Sequence, residues 1–216
     1  MRFLSTALLL ALAAIPVLAQ PVNPGVVQDA FHVNVLLAPT FAGLPQGTVD
    51  LTNAGVLGAD PTNPGIGNIC VNVYTFAANR QAVGCCSCLV PPNGLFHLTS
   101  SDMGGSAARS VTPNAGFVIK LLATVPGPNS STPGTNAGPF IFSSCNPSIS
   151  FSASNLAPGM RAWATRIQTD PVTSATSTVG VTEFSSAPLS PGELATLGAT
   201  CHTLTCGNPA VCPSCQ

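Results

Sequence analysis

Nine cysteines dominate the reactive chemistry of this 216-residue chain: Cys70, Cys85, Cys86, Cys88, Cys145, Cys201, Cys206, Cys212 and Cys215. Thiols at this density pair as disulfides, hold a soft metal, or exchange electrons. Nine is odd, so at most four bonds form within one chain and one thiol is left over. Spacing alone does not fix the pairing. Cys85 and Cys86 are adjacent and point to opposite faces of a strand, so they are expected to bond different partners. Two other chemistries compete. Cys212-Pro213-Ser214-Cys215 has the C-x-x-C spacing of thiol oxidoreductases, but that chemistry wants the first thiol at a helix N-terminus, and no helix-forming stretch follows. Cys201, His202, Cys206, Cys212 and Cys215 could supply zinc ligands, and Cys85, Cys86 and Cys88 a soft-metal cluster, although the spacings match no standard zinc module. No metal and no cofactor is expected.

The remaining chemistry-bearing residues are sparse. His32, His97 and His202 are the only histidines, and the first two are expected at outward positions on strands. The acids Asp29, Asp50, Asp60, Asp102, Asp170, Glu183 and Glu193 are scattered, and no pair is selected as a glycosidase couple. A serine nucleophile would want a G-x-S-x-G elbow, which is absent. Gly104-Gly105-Ser106, with Asp102 nearby, reads as a turn. Trp163 is the single tryptophan and alternates with Ile167 along one strand face, so core packing is expected over a stacking platform for a sugar or aromatic ligand.

The N-terminus decides the compartment. Arg2 precedes an almost wholly apolar run from Phe3 to Val17, and Val17-Leu18-Ala19 places small residues at the −3 and −1 positions before Gln20. Residues 1–19 read as a cleavable signal peptide, too short for the roughly 20 residues that span a bilayer. A secreted or periplasmic location follows, and with it disulfides rather than thiols. No later stretch is apolar enough to be a transmembrane segment. Only 6% of residues are charged, against about 25% in ordinary globular proteins. Past residue 19, five basic residues face seven acidic ones, which excludes the basic footprint of a nucleic-acid partner.

These groups need elements to position them. Phe31–Leu37, Ile69–Ala77, Phe117–Thr124, Phe140–Phe142, Met160–Gln168 and Val179–Phe184 read as strands by alternation and β-branched content. Lys120 falls opposite Phe117, Ile119 and Leu121. Residues 83–99 read as a hairpin about Pro92-Asn93-Gly94. Ser190-Pro191-Gly192-Glu193 starts a helix, with Glu193 at the capping-box position. Leu194, Leu197, Cys201 and Leu204 share its inner face, and Gly207 is placed to end it. Residues 126–139 carry no large apolar side chain and read as a long exposed loop. The expected architecture is all-β: one mainly antiparallel β-sandwich over residues 20–204, closing with one short C-terminal α-helix. A disulfide-stapled tail, residues 205–216, follows.

The segment ICVNVYTFAANRQAVGCCSCLVPPNGL, the strand RAWATRI and the stretch LSPGELATLGATC resemble uncharacterised exported cysteine-rich proteins of soil bacteria of acidobacterial type. That resemblance covers about half of the chain past residue 19, and implies export but no activity or site residue. Three functions remain in view: a non-catalytic envelope or extracellular protein that binds or assembles, a secreted hydrolase, and a Cys/His metal-binding protein. The first is expected. Its partner would be a second copy of the chain or a cell-surface molecule, because one lysine past residue 19 offers little protection to strand edges. The secreted protein is expected to start at Gln20. Its intact mass checks this, and retention of residues 1–19 would refute it.

Overall fold

The structure, a computed structural model, describes residues 27, 29–37, 47–58, 66–77, 79–99, 102–103, 116–127, 145–169, 177–205 and 211–215. The signal peptide expected at residues 1–19, the strand expected at Phe140–Phe142, most of the loop expected at 126–139, the turn expected at Gly104-Gly105-Ser106, Gly207 and Cys206 lie outside them. Among the described residues nine strands form two antiparallel sheets: β1 (Phe31–Leu37), β2 (Thr48–Asn53), β3 (Ile69–Phe76), β4 (Ala82–Val90), β5 (Leu95–Leu98), β6 (Gly116–Thr124), β7 (Met160–Thr169), β8 (Ser177–Glu183) and β9 (Ser185–Ser186). Sheet A has the order β4-β3-β6-β1-β9 and sheet B the order β5-β2-β7-β8. Helix α1 spans Pro191–Thr205. Among the described residues no helix is long and apolar enough to cross a membrane.

Sheet A is buried on both faces. Ile69, Val71 and Val73 of β3, with Phe117, Ile119 and Leu121 of β6, face sheet B, where they meet Val49, Leu51, Leu98, Met160, Ala162 and Ala164. Each fully buried aliphatic side chain here contributes about 1.5–3 kcal/mol. On the other face Phe31, Tyr74 and Leu122 pack against Leu194, Leu197 and Cys201 of α1. Gly198 sits where a Cβ would strike the Ile149 carbonyl, so the helix needs a glycine to lie this close. The Glu193 amide donates to Ser190 Oγ at 3.1 Å, as an N-cap requires. The Glu193 carboxylate departs from the expected capping box and instead accepts from Lys120 Nζ of β6. Leu204 is exposed rather than inward.

Three strand readings need correction. The segment 83–99 is not a hairpin: β4 pairs with β3 in sheet A, and β5 pairs with β2 in sheet B. Pro91 and Pro92 supply no amide to a ladder, and buried Asn53 latches the crossing. Its Nδ2 donates to Val90 O (3.1 Å) and Gly67 O (2.8 Å), while its own carbonyl accepts from Asn93 N. In β1, Phe31 and Val33 face the helix side, leaving His32 buried and Val35 exposed. His32 Nδ1 reaches the Phe184 carbonyl at 3.3 Å, so that histidine is interior, not outward. Finally, β2 is a strand that the residue pattern did not single out, although Val49 and Leu51 alternate with half-buried polar residues.

Four disulfides take up eight cysteines: Cys70–Cys145, Cys85–Cys201, Cys86–Cys212 and Cys88–Cys215. Cys85 and Cys86 do bond different partners, because β4 sends Cys85 toward α1 and Cys86 toward the sandwich interior. Cys212 and Cys215 bring the tail into that interior, where both are buried. Val211 bridges Ser87 and the Cys212 amide donates to Ser87 O at 3.1 Å, so the tail also lies along the outer edge of β4. Counting leaves Cys206 without an intrachain partner. Alkylation of the unreduced protein should label one cysteine, and peptide mapping should find it at residue 206. Two or more labelled cysteines would contradict these pairings. Replacing Cys85 and Cys201 together by serine should cost about 2–5 kcal/mol in chemical denaturation.

Candidate binding face

Each acid that the structure describes has a partner, and the partners divide the acids into structural and surface groups. Asp102 is structural. It is buried beside the tail and accepts four hydrogen bonds: from Thr99 N (2.7 Å), Thr99 Oγ1 (2.8 Å), Ser214 N (2.8 Å) and Ser214 Oγ (2.7 Å). Burial alone pushes its pKa up, but the donors from Ser214 and Thr99 outweigh burial and hold the carboxyl below the usual aspartate range. Asp102 is thus the polar anchor of the tail, a role its sequence neighbours did not reveal. Tyr74 is also structural: its hydroxyl donates to Pro147 O at 3.1 Å, and burial pushes its pKa upward.

The surface acids Asp50 and Glu183 belong to the outer face of sheet B, and Asp29 lies beside it. Register alone sets four side chains in one row across four strands. Asp50 of β2 lies opposite both His97 of β5 and Trp163 of β7, and Trp163 lies opposite Glu183 of β8. Directly opposed residues in antiparallel strands share a face, so the row reads His97, Asp50, Trp163, Glu183. His97 Nδ1 donates to Asp50 Oδ1 at 2.7 Å. Arg161, two residues from Trp163 and on the same face, approaches Glu183 at 3.7 Å and Asp29 at 4.0 Å. Exposed pairs at such distances contribute little stability. Their effect is to hold charged groups beside the indole. Leu95, Val179 and Val181 add exposed apolar area, the valines at 64% and 62%.

Trp163 is the main correction. It is half-buried on the outward face, and the inward positions of β7 belong to Met160, Ala162 and Ala164. Both alternating sets of β7 mix apolar with polar residues, so periodicity could not fix the phase. The two alanines let sheet A approach where an indole would not fit. His97 is outward as expected, and His202 is exposed on α1. Asp60 and Asp170 lie outside the described residues. The zinc set weighed as an alternative for the tail is split, since Cys201 bonds Cys85 on one face of β4 while Cys212 and Cys215 bond Cys86 and Cys88 on the other.

Comparison with protein families, with curated proteins and with solved structures finds no match to this chain. Chemically, the outer face of sheet B offers an aromatic ring flanked by an imidazole, two carboxylates and a guanidinium, all on hydrogen-bonded strands.

Asp102→Asn should destabilise the protein by about 1–3 kcal/mol, because an amide cannot accept from both Thr99 and Ser214 as the carboxylate does. The folded-state pKa of Asp102 is depressed, so its contribution is present above the unfolded aspartate range. That contribution is lost as pH falls through the folded value. Denaturant midpoints measured from neutral to strongly acid pH should therefore fall less steeply in the asparagine variant. Parallel curves would refute the role.

Proposed function

We propose that this is an exported, disulfide-stabilised, non-catalytic protein of the cell envelope or extracellular space that works by contact. Its contact surface is the outer face of sheet B. One observation carries the reading: Trp163, the chain's single tryptophan, sits half-buried on the outer face of sheet B between polar groups that are already paired and oriented. An indole has a large apolar ring and one N–H, which suits partners that present an apolar face and hydroxyls together. Among the described side chains on or beside this face, Asp29, Asp50 and Glu183 outnumber Arg161, so the face disfavours anionic partners. A neutral polyhydroxylated surface, such as an envelope or extracellular polysaccharide, fits this chemistry. The four disulfides support an oxidising location, secreted or periplasmic. The exposed Val179 and Val181 beside the same row support assembly with a second copy.

A secreted hydrolase is the second reading, and the His97–Asp50 pair favours it. A carboxylate that fixes an imidazole at 2.7 Å is the arrangement of a general base. The pair lies on an open face, however, with the histidine side chain 56% exposed. Water there screens and competes with any transition-state contact.

Sedimentation with insoluble polysaccharides and with isolated cell envelopes tests both. Trp163→Ala should reduce binding at least tenfold, about 1.4 kcal/mol, with an unchanged melting temperature. Equal binding by wild type and variant would remove the face from the function. Turnover of a glycan, peptide or ester that His97→Ala abolishes would establish the hydrolase instead.

A further inference from the structure

Four cysteine sulfurs from segments far apart in the chain come together in the sandwich interior. Cys86 and Cys88 are two residues apart on β4, so both side chains leave the same face of the strand. Cys212 and Cys215 are three apart, and Pro213–Cys215 forms a 3-10 turn, in which side chains at i and i+3 eclipse. The sulfurs of Cys88, Cys212 and Cys215 lie within 4.8 Å of one another. Cys86 lies outside that mutual range and reaches the cluster through its bond to Cys212. All four residues are buried in one cluster.

We propose that these four sulfurs, in their thiol form, make a tetrahedral site for a thiophilic ion such as Zn2+ or Cu+, and that formation of the two disulfides closes it. The donor set is one C-x-C pair from a strand and one C-x-x-C pair from a turn. Four thiolates suit zinc in a closed site, and their softness also suits Cu+. The remaining disulfides cannot contribute. Cys85–Cys201 lies on the opposite face of β4, and Cys70–Cys145 belongs to a separate cluster with Leu89.

The tail does not depend on sulfur alone for its position. Ser214 donates twice to Asp102, and Cys212 N donates to Ser87 O, so the two cysteine pairs stay facing each other when the S–S bonds open. The chemistry balances. A dithiol reductant gives two electrons and two protons to each disulfide and leaves as its own disulfide, producing four protein thiols. The metal ion then displaces four protons. In the reverse direction, oxidation of the four thiolates by a disulfide oxidant forms both S–S bonds and releases the ion. An exported chain passes through the thiol state before it is oxidised, so metal capture and disulfide formation compete for the same atoms.

Cobalt(II) titration of the full secreted protein, reduced by a phosphine under anaerobic conditions, tests this. We expect one Co2+ per chain, a sulfur-to-cobalt charge-transfer band and intense tetrahedral d–d bands, with Zn2+ displacing the cobalt. The oxidised protein should show none of these. Joint replacement Cys88→Ser and Cys215→Ser should abolish the bands, whereas Cys70→Ser with Cys145→Ser, or Cys206→Ser, should leave them. Asp102→Asn keeps all nine cysteines and should weaken cobalt binding at least tenfold by loosening the tail. No cobalt–thiolate band in the reduced protein, a band that survives Cys88→Ser with Cys215→Ser, or full affinity in Asp102→Asn would overturn the proposal.

Discussion

The edge strand β4 is the point to which the rest of the molecule is tied. It carries Cys85, Cys86 and Cys88, and its pleat sends the first to one face of sheet A and the other two to the opposite face. Three disulfides therefore radiate from a single strand, joining it to α1 and twice to the tail. Each closes a loop of more than a hundred residues, with sequence separations of 116, 126 and 127. Loops of that size remove much conformational freedom from the unfolded chain, although the entropic account of disulfide stability depends on the model. The strand also gains edge protection, because Val211 occupies the bridge position beside Ser87.

Charge is scarce, and what there is has specific work. Asp102 holds the tail through four hydrogen bonds, and Glu193 ties α1 to Lys120 on β6. These groups hold the fold's appendages to its sheets. The other described acids, Asp29, Asp50 and Glu183, gather with Arg161 and His97 on or beside one sheet face. Sheet A spends both faces on packing, one against sheet B and one against the helix. Among the described residues sheet B packs only its inner face, and its outer face carries the row His97, Asp50, Trp163 and Glu183.

Much of the fold was legible in the residues. Alternation in β3 and β6 assigned Ile69, Val71, Val73, Phe117, Ile119 and Leu121 to one buried face. Serine, proline and glycine at 190–192 marked the start of α1. The adjacency of Cys85 and Cys86 required two different partners. Other features were hidden for physical reasons. Both faces of β1 and β7 carry apolar residues, so period two was present but its phase was not, and His32 and Trp163 were placed on the wrong side. A Pro-Pro-Asn-Gly turn looks the same whether it joins two strands of one sheet or crosses between sheets.

By itself, then, the sequence indicated most of the element types and the odd thiol count, because local periodicity and counting need no partner. The tertiary structure decided which cysteines pair, which carboxylate anchors the tail and which face of β7 meets water. Those outcomes depend on the register between strands far apart in the chain. Asp50 stands between His97 and Trp163 only because β2 lies between β5 and β7. Cys88 meets Cys215 only because the tail lies beside β4.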